Sequence, residues 1–357
     1  MSFKIRGKSV GDGHPCYITF EAGPTHDGIE SAIELVQLAA NAGADAIKFQ
    51  IFDPDKLVAD RKLPFSYDVL LDRQNGTTET VTEPLYDILK RRSMSGQEWR
   101  EVKSVADELD IAFFATVGFE EDIELLEDLN CDSIKIASAD VNHFPLLKLA
   151  AQTDMSIQLD TGNASIGEIE AAVDVIVAAG NEKIIIHQCP SGYPAHLESI
   201  NLRMLQTLSS MFPFPTAFSD HTPGWDMDIA AVALGANLIE KTITKDRMTR
   251  SVEHIMSIEE SQFTTFIRAI RDVEVALGSS RRSLPAEQLE KRKAIRRSAF
   301  VCRAVEAGKR LVEDDLVYRR PGYGISPNEH ERLIGAVVRE TILSDTLLTW
   351  NMLGDCS

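Results

Sequence analysis

The chain is poor in the features that mark several protein classes. Its 357 residues hold five cysteines (Cys16, Cys131, Cys189, Cys302 and Cys356), scattered and with no Cys-x-x-Cys pair. That spread argues against a zinc ribbon or a disulfide scaffold and fits reduced thiols in a cytoplasmic protein. Basic residues are in deficit: Lys and Arg number 37 against 55 Asp and Glu, a net charge of −18. Such a surface repels nucleic acid and anionic membranes, so neither is expected as a partner. Met1 to Val10 has no apolar stretch of the signal-peptide kind, and no apolar run is long enough to span a bilayer. The turn from Gly23 to Gly28 lacks the Gly-x-Gly-x-x-Gly spacing, which weakens a dinucleotide-binding reading.

What is present is an ordinary globular composition, 44% hydrophobic and 26% charged, with two lysines in unusual places. Lys48 lies in Ala46-Ile47-Lys48-Phe49-Gln50 and Lys135 in Ser133-Ile134-Lys135-Ile136-Ala137. Both runs are short and apolar and read as buried strands. A buried ammonium is costly unless a negative charge meets it. Two of them inside strands of an acidic protein point to a pocket for a small anion.

Strand-like and helix-like segments alternate along most of the chain. Strands are predicted at 17–21, 46–49, 111–116, 133–137, 155–159, 183–187, 215–218 and 237–243, with helices between them. Eight βα units suit an α/β fold of the closed (β/α)8 TIM-barrel type, an open doubly wound sheet being the rival. The predicted organisation is a barrel over residues 1–280, a linker over 281–297 and a small, mainly β domain over 298–357. About sixty residues is near the minimum for a free-standing domain, so the last is expected to dock on something.

In a barrel, functional groups gather at the C-terminal ends of the strands. Strand alternation puts Lys48 with Gln50, Ser133 with Lys135, Ser219 with His221 and Glu240 with Thr242 on shared faces. Glu21 ends the first strand and reads either as a counter-ion or as an acid/base group. Each lysine alone has an even alternative as half of a structural ion pair. His221, in Ser219-Asp220-His221-Thr222, is either a hydrogen-bonded core histidine or a metal ligand that needs company. His26 reads as a loop-ordering residue. Tyr193 sits in a βα loop, as a sugar-contacting hydroxyl or as turn packing.

These segments resemble those of the sialic acid synthase family, which makes nine-carbon nonulosonic acids. Glu21-Ala22-Gly23-Pro24-Thr25-His26-Asp27-Gly28 is similar to the family's Glu-Ile-Gly-x-Asn-His-x-Gly. Gly43 to Gln50, Ile134 to Ser138, Ser219 to Thr222 and Ala231 to Ala236 also resemble its motifs. Arg320-Pro321-Gly322-Tyr323-Gly324-Ile325-Ser326-Pro327 resembles the signature of the antifreeze-like SAF domain that ends these enzymes. The resemblance implies a transferase that condenses phosphoenolpyruvate with an N-acetylated amino sugar (N-acetylmannosamine or a diacetamido-trideoxyhexose). It implies that a divalent metal, Mn2+ or Mg2+, polarises the sugar aldehyde. By the same resemblance Lys48, Thr116, Lys135 and Ser138 contact phosphoenolpyruvate. Gln50, Tyr193 and Glu253 face the sugar, Glu21 is the acid/base group and His221 holds the metal. The family forms domain-swapped homodimers in which Arg320 reaches the sugar bound by the other chain.

Several positions depart from that pattern. Thr242 stands where the family has a second histidine ligand, and a neutral hydroxyl is a weak substitute. The readings left open are a metal held by His221 with substrate and water, recruitment of His254, and a dispensable metal. Asp160 stands in place of a serine, Gln188 in place of a histidine, and Glu253 in place of an aspartate. Ser191 occupies a position where an asparagine often contacts the sugar. Two rival functions remain: a Schiff-base aldolase on the same barrel, and a non-catalytic sugar-binding paralogue.

Overall fold

In the computed structural model, which describes residues 1–354, the chain divides into two compact units, the first being Met1–Gly278 and the second starting at Ser279. The first unit is built on eight strands: β1 (Tyr17–Glu21), β2 (Ala46–Gln50), β3 (Ala112–Val117), β4 (Ser133–Ile136), β5 (Ser156–Asp160), β6 (Ile184–Gln188), β7 (Thr216–Asp220) and β8 (Leu238–Thr244). Each pairs in parallel with the next, and β8 pairs back onto β1, so the sheet closes into the expected barrel. Eight helices follow the strands: α1 (Ile29–Ala42), α2 (Gly96–Glu108), α3 (Glu120–Asp128), α4 (Phe144–Ala151), α5 (Ile166–Ala178), α6 (Met204–Met211), α7 (Asp226–Ala233) and α8 (Glu260–Leu277).

Local sequence explains these elements. α1 buries Ala32, Leu35, Val36 and Ala39, one stripe at helical spacing, and ends at Gly43 with φ 90°. α2 and α5 start at Ser95 and Ser165, each closed by a reciprocal bond with a glutamate three residues on. The outward strand faces and the helices enclose the main apolar core, which includes Ile47, Phe49, Ile134, Ile157 and Phe218.

The barrel interior changes character with height. Its lower layer is apolar: Tyr17, Ala46, Phe114, Ile185, Ala217 and Leu238 pack with Ile5 and Val10. Those last two come from an antiparallel hairpin, Ser2–Ile5 with Lys8–Gly11, that stops the lower end. Above this layer the inward residues are polar, and there the lysines sit.

Three features go beyond or differ from the predicted elements. The polar stretch after β2 contains a second hairpin, Pro64–Leu70 with Thr78–Pro84. Tyr67 and Val69 anchor it against Ile88 and Val252, and with Leu70 they are its three buried apolar residues, few but enough to form strands. The region expected as a linker carries a helix, Ala286–Ile295, within the second unit. Its sequence AEQLEKRKAI is made of strong helix formers and follows Pro285, a favourable start. Most barrel strands also run one or two residues later than periodicity implied, which places Asp160 and Asp220 inside strands. The second unit has its own core, including Val301, Leu311, Leu333 and Leu348, around the antiparallel pair Ser298–Val301 and Leu316–Arg319.

Candidate active site

Strand register assembles the site. Glu21 on β1 lies beside Lys48 on β2 and beside Thr242 on β8. Thr116 on β3 lies beside Gln50 on one side and Lys135 on the other. Asp160 on β5 lies beside His187 on β6, and Ser219 on β7 beside Glu240 on β8. A cavity of about 250 Å3 opens above this layer. Glu21, Lys48, Gln50, Thr116 and Ser138 form one part of its wall, and Tyr193, His221 and Glu253 another. Lys135 and Thr242 do not line it; both are buried beneath or beside it. Arg320 is exposed and belongs to the second unit.

Both lysines are met by carboxylates. Lys48 Nζ is 2.5 Å from Glu21 Oε2 and 3.1 Å from Glu240 Oε1, and donates to Thr116 Oγ1 at 3.2 Å. Lys135 Nζ is 2.7 Å from Glu240 Oε2, 2.9 Å from Asp160 Oδ1 and 3.0 Å from His187 Nδ1. Glu240 therefore bridges the two ammoniums and also accepts from Ser219 Oγ at 3.0 Å. Burial alone would lower the Lys135 pKa, but Asp160 and Glu240 outweigh it and raise it. Burial likewise opposes the charge on Glu240, yet Lys135 and Lys48 hold its pKa well below the usual range. Asp160 goes the other way: burial and the charge of Glu240 raise it more than Lys135 lowers it.

Gly23 shows why the loop after β1 carries a glycine. Its N–H donates to Glu21 Oε1 at 2.9 Å. A Cβ there would stand 2.5 Å from that oxygen and 2.7 Å from Gln50 Cγ, so a side chain would push both cavity residues out of place.

His221 sits at the end of β7 with Nδ1 donating to the Pro190 carbonyl at 3.1 Å, which leaves Nε2 as the unprotonated nitrogen. Burial lowers its pKa to about 4, so at neutral pH it is an uncharged imidazole, the form that can ligate a metal. The Tyr193 ring packs on it at 4.7 Å. The donor set goes no further. Thr242 supplies a hydroxyl, and His254 faces away, its Nδ1 2.7 Å from Thr244 Oγ1 in a different cavity. Among the described residues no group of three His, Cys, Asp or Glu side chains is arranged to hold a metal ion. One imidazole does not make a protein-built divalent site.

Motif reading missed Glu240 as the bridge, His187 as the cap on Lys135, and Gln158, whose Oε1 meets His187 Nε2 at 3.0 Å. Glu240 was findable, because it shares an inward face with Thr242; His187 and Gln158 depend on register that one strand alone does not reveal.

Comparisons with known proteins bear on the family and the fold. The NeuB family pattern matches residues 35–282 and the SAF domain pattern residues 296–354. The chain is 32% identical over 353 residues to N,N'-diacetyllegionaminic acid synthase of Legionella pneumophila, covering 97% of each. It is 29% identical over 343 residues to N-acetylneuraminate-9-phosphate synthase of Homo sapiens, covering 95% of this chain and 93% of the other. Among solved structures, N-acetylneuraminic acid synthetase from Leptospira borgpetersenii superposes with a TM-score of 0.71 at 27% identity, covering 82% of this chain and 95% of the other. A closed eight-strand barrel with its polar layer at the strand ends, joined to these matches, places the chain in the NeuB family, with a SAF domain at its C-terminal end.

Proposed function

We propose that the chain is a nonulosonic acid synthase: it condenses phosphoenolpyruvate with the open-chain form of an N-acetylated amino sugar. The enol carbon of phosphoenolpyruvate attacks the sugar aldehyde carbon and forms the new C–C bond. The aldehyde oxygen takes up a proton and becomes a hydroxyl. Water adds to the neighbouring cationic carbon, the one that bears the phosphate oxygen, and gives up a proton. The C–O bond from that carbon to phosphate then breaks, releasing phosphate and leaving a 2-keto acid. The observation that carries this reading is the pair of ammoniums on β2 and β4, one lining the cavity and the other buried behind its wall and joined to the first through Glu240, in a chain of net charge −18. Lys48, helped by Thr116 and Ser138, takes one anionic group of phosphoenolpyruvate, and Lys135 adds its field from below. Glu21, 2.5 Å from Lys48, is the proton-transfer group. Gln50, Tyr193 and Glu253 face the sugar. In a homodimer of the family type, Arg320 of the partner subunit reaches the sugar's acyl group. A divalent cation at His221 would depend on substrate and water for the rest of its coordination.

The aldolase alternative needs a lysine with a free amine lone pair. Lys48 is ion-paired to two carboxylates, and the Lys135 pKa is raised, so neither is set up to form an imine. Purified protein given phosphoenolpyruvate and a panel of N-acetylated hexosamines should release phosphate from at least one pair. Silence with every acceptor, with and without manganese, would sink the reading; borohydride trapping of a keto-acid adduct would favour the aldolase instead.

Asp160 offers a second, finer check. Its carboxylate is 2.9 Å from Lys135 and competes with an incoming anion. Asp160→Ser should lower the apparent KM for phosphoenolpyruvate by about tenfold, the effect of removing one unit of repulsion worth about 1.4 kcal/mol. Because the Asp160 pKa is raised, the parent protein should bind phosphoenolpyruvate better as pH falls through it, a trend the serine variant loses. An unchanged KM and pH profile would place the anion elsewhere.

A further inference from the structure

Beside the catalytic cavity the first unit holds a second one, of about 400 Å3. Thr25 and His26 after β1, Arg91 and Arg92 before α2, and Arg250 and His254 after β8 contribute to its wall. One turn separates the two spaces: Glu253, at φ 69°, lines the catalytic cavity, and His254 lines the other.

The cations of this wall are not equivalent. Arg91, Lys245 and Arg250 each pair with a carboxylate of their own, Glu83, Glu34 and Glu79. Arg92 has none. It is 6% exposed, its Nε donates to the Ile88 carbonyl at 3.4 Å, and among the described residues no carboxylate lies within ion-pair distance. Burial lowers its pKa only to about 10, so it stays a cation at neutral pH. The charge that favours the cation most is that of Glu253, yet burial pushes the Glu253 carboxyl up to about 7, so this compensation is partial near neutrality. A second polar group is unmet in the same wall. His26 is 2% exposed, and its Nε2 is buried without a partner. Nδ1 accepts from the Gly28 N–H at 3.4 Å, which leaves Nε2 as the protonated, donating nitrogen. Phe49 and Trp99 hold the ring edge-on at 5.6 and 5.8 Å. The acids of the wall are Asp246, engaged by Arg73, and Asp27, which is exposed. A buried guanidinium with one long backbone hydrogen bond and no paired carboxylate, beside a buried imidazole N–H with no acceptor, is costly alone and favoured by an arriving oxyanion.

We propose that this second cavity is an oxyanion site, in which Arg92 and His26 bind a phosphate or carboxylate group beside the sugar end of the catalytic cavity. The group belongs either to the acceptor sugar, a case that rests on the synthase reading, or to a free inorganic anion.

The test uses inorganic phosphate as the probe on the full-length protein, read by calorimetry and thermal shift. The parent should bind phosphate, and Arg92→Leu should weaken that binding by about tenfold or more, the scale of a lost charge-assisted pair. Arg92→Leu removes an unpaired buried charge, so it should melt no lower than the parent without phosphate. Arg92→Lys should retain part of the binding. Lys48→Met, which disables the catalytic cavity, should leave the Arg92-dependent binding in place. Equal phosphate binding by the parent and Arg92→Leu would overturn the proposal, as would loss of all phosphate binding in Lys48→Met. Displacement of phosphate by a phosphorylated but not an unphosphorylated N-acetylhexosamine assigns the site to the acceptor; displacement by neither assigns it to free anion. Since none of these readouts needs turnover, a protein that binds phosphate through Arg92 but makes no product would sink the synthase reading and leave this one standing.

Discussion

Lys48→Met should lower kcat/KM for phosphoenolpyruvate by about a thousandfold or more, on the order of 4 kcal/mol of lost transition-state stabilisation. Three groups depend on this one ammonium: Glu21, Glu240 and the Thr116 hydroxyl. Methionine fills a similar volume but returns none of those interactions, and it leaves the anionic substrate facing Glu21 without a cation between them. Lys48→Arg is the informative companion. It keeps the charge, but a planar fork cannot reproduce the contacts of a compact ammonium in so confined a place, so most of the activity should stay lost. Steady-state kinetics with phosphate release as the readout would check both variants, and circular dichroism would check that the barrel is intact. Unchanged apparent affinity for phosphoenolpyruvate in Lys48→Met would remove Lys48 from the site.

Lys135→Met should act first on stability. The ammonium is fully enclosed and compensates Glu240 and Asp160. Removing one partner of a buried ionic group typically costs about 3–5 kcal/mol, because the other charges remain without compensation. The direction with pH follows from the shifts. Glu240 is depressed in the folded state, so its contribution is present above its unfolded pKa of about 4.3 and is lost as pH falls through the folded value. Lys135 is raised, so its contribution is complete below its unfolded pKa of about 10.4 and is lost as pH rises through the folded value. Between those limits the parent has the full benefit of the network and the variant keeps only the part held by Lys48. On acidification Asp160, left without its ammonium, and Glu240, left with Lys48 alone, take up protons more readily in the variant, and the gap to the parent narrows. Urea unfolding at about pH 7 and about pH 5 would measure it; a gap that is absent at both, or that widens with acid, would mean that the network does not hold the barrel together.

Much of the barrel was legible because its signals are local. Apolar runs such as Ile184–Ile186 alternate with stripes such as Leu35, Val36 and Ala39, and two lysines inside apolar runs stand out against that background. The charge network was not legible, since Glu240, Asp160 and His187 meet Lys135 only through the register of four strands. The hairpin at 64–84 and the helix Ala286–Ile295 carry little apolar signal because both are polar: one is anchored by a few buried residues, and the other buries none and forms on propensity. Arg92 hid in a Lys-Arg-Arg run that reads as solvated surface, while the fold turns one of the three inward.

Closure of the sheet has one more consequence, for how the protein is made. Glu21 and Lys48 lie near the start of the chain, whereas Glu240 and Thr242 come from its eighth strand, and the pairing of β8 with β1 brings them together. Such a contact is among the last that a growing chain can form, because its two halves are so far apart in sequence. An incomplete chain therefore lacks Glu240, the carboxylate that bridges both lysines, and the strand that closes the wall around them, so the strand ends stay open and hydrated. The joining of the first and last strands seals the barrel and completes the charge network in one step, so on the proposed reading a chain halted during synthesis should be silent rather than partly active.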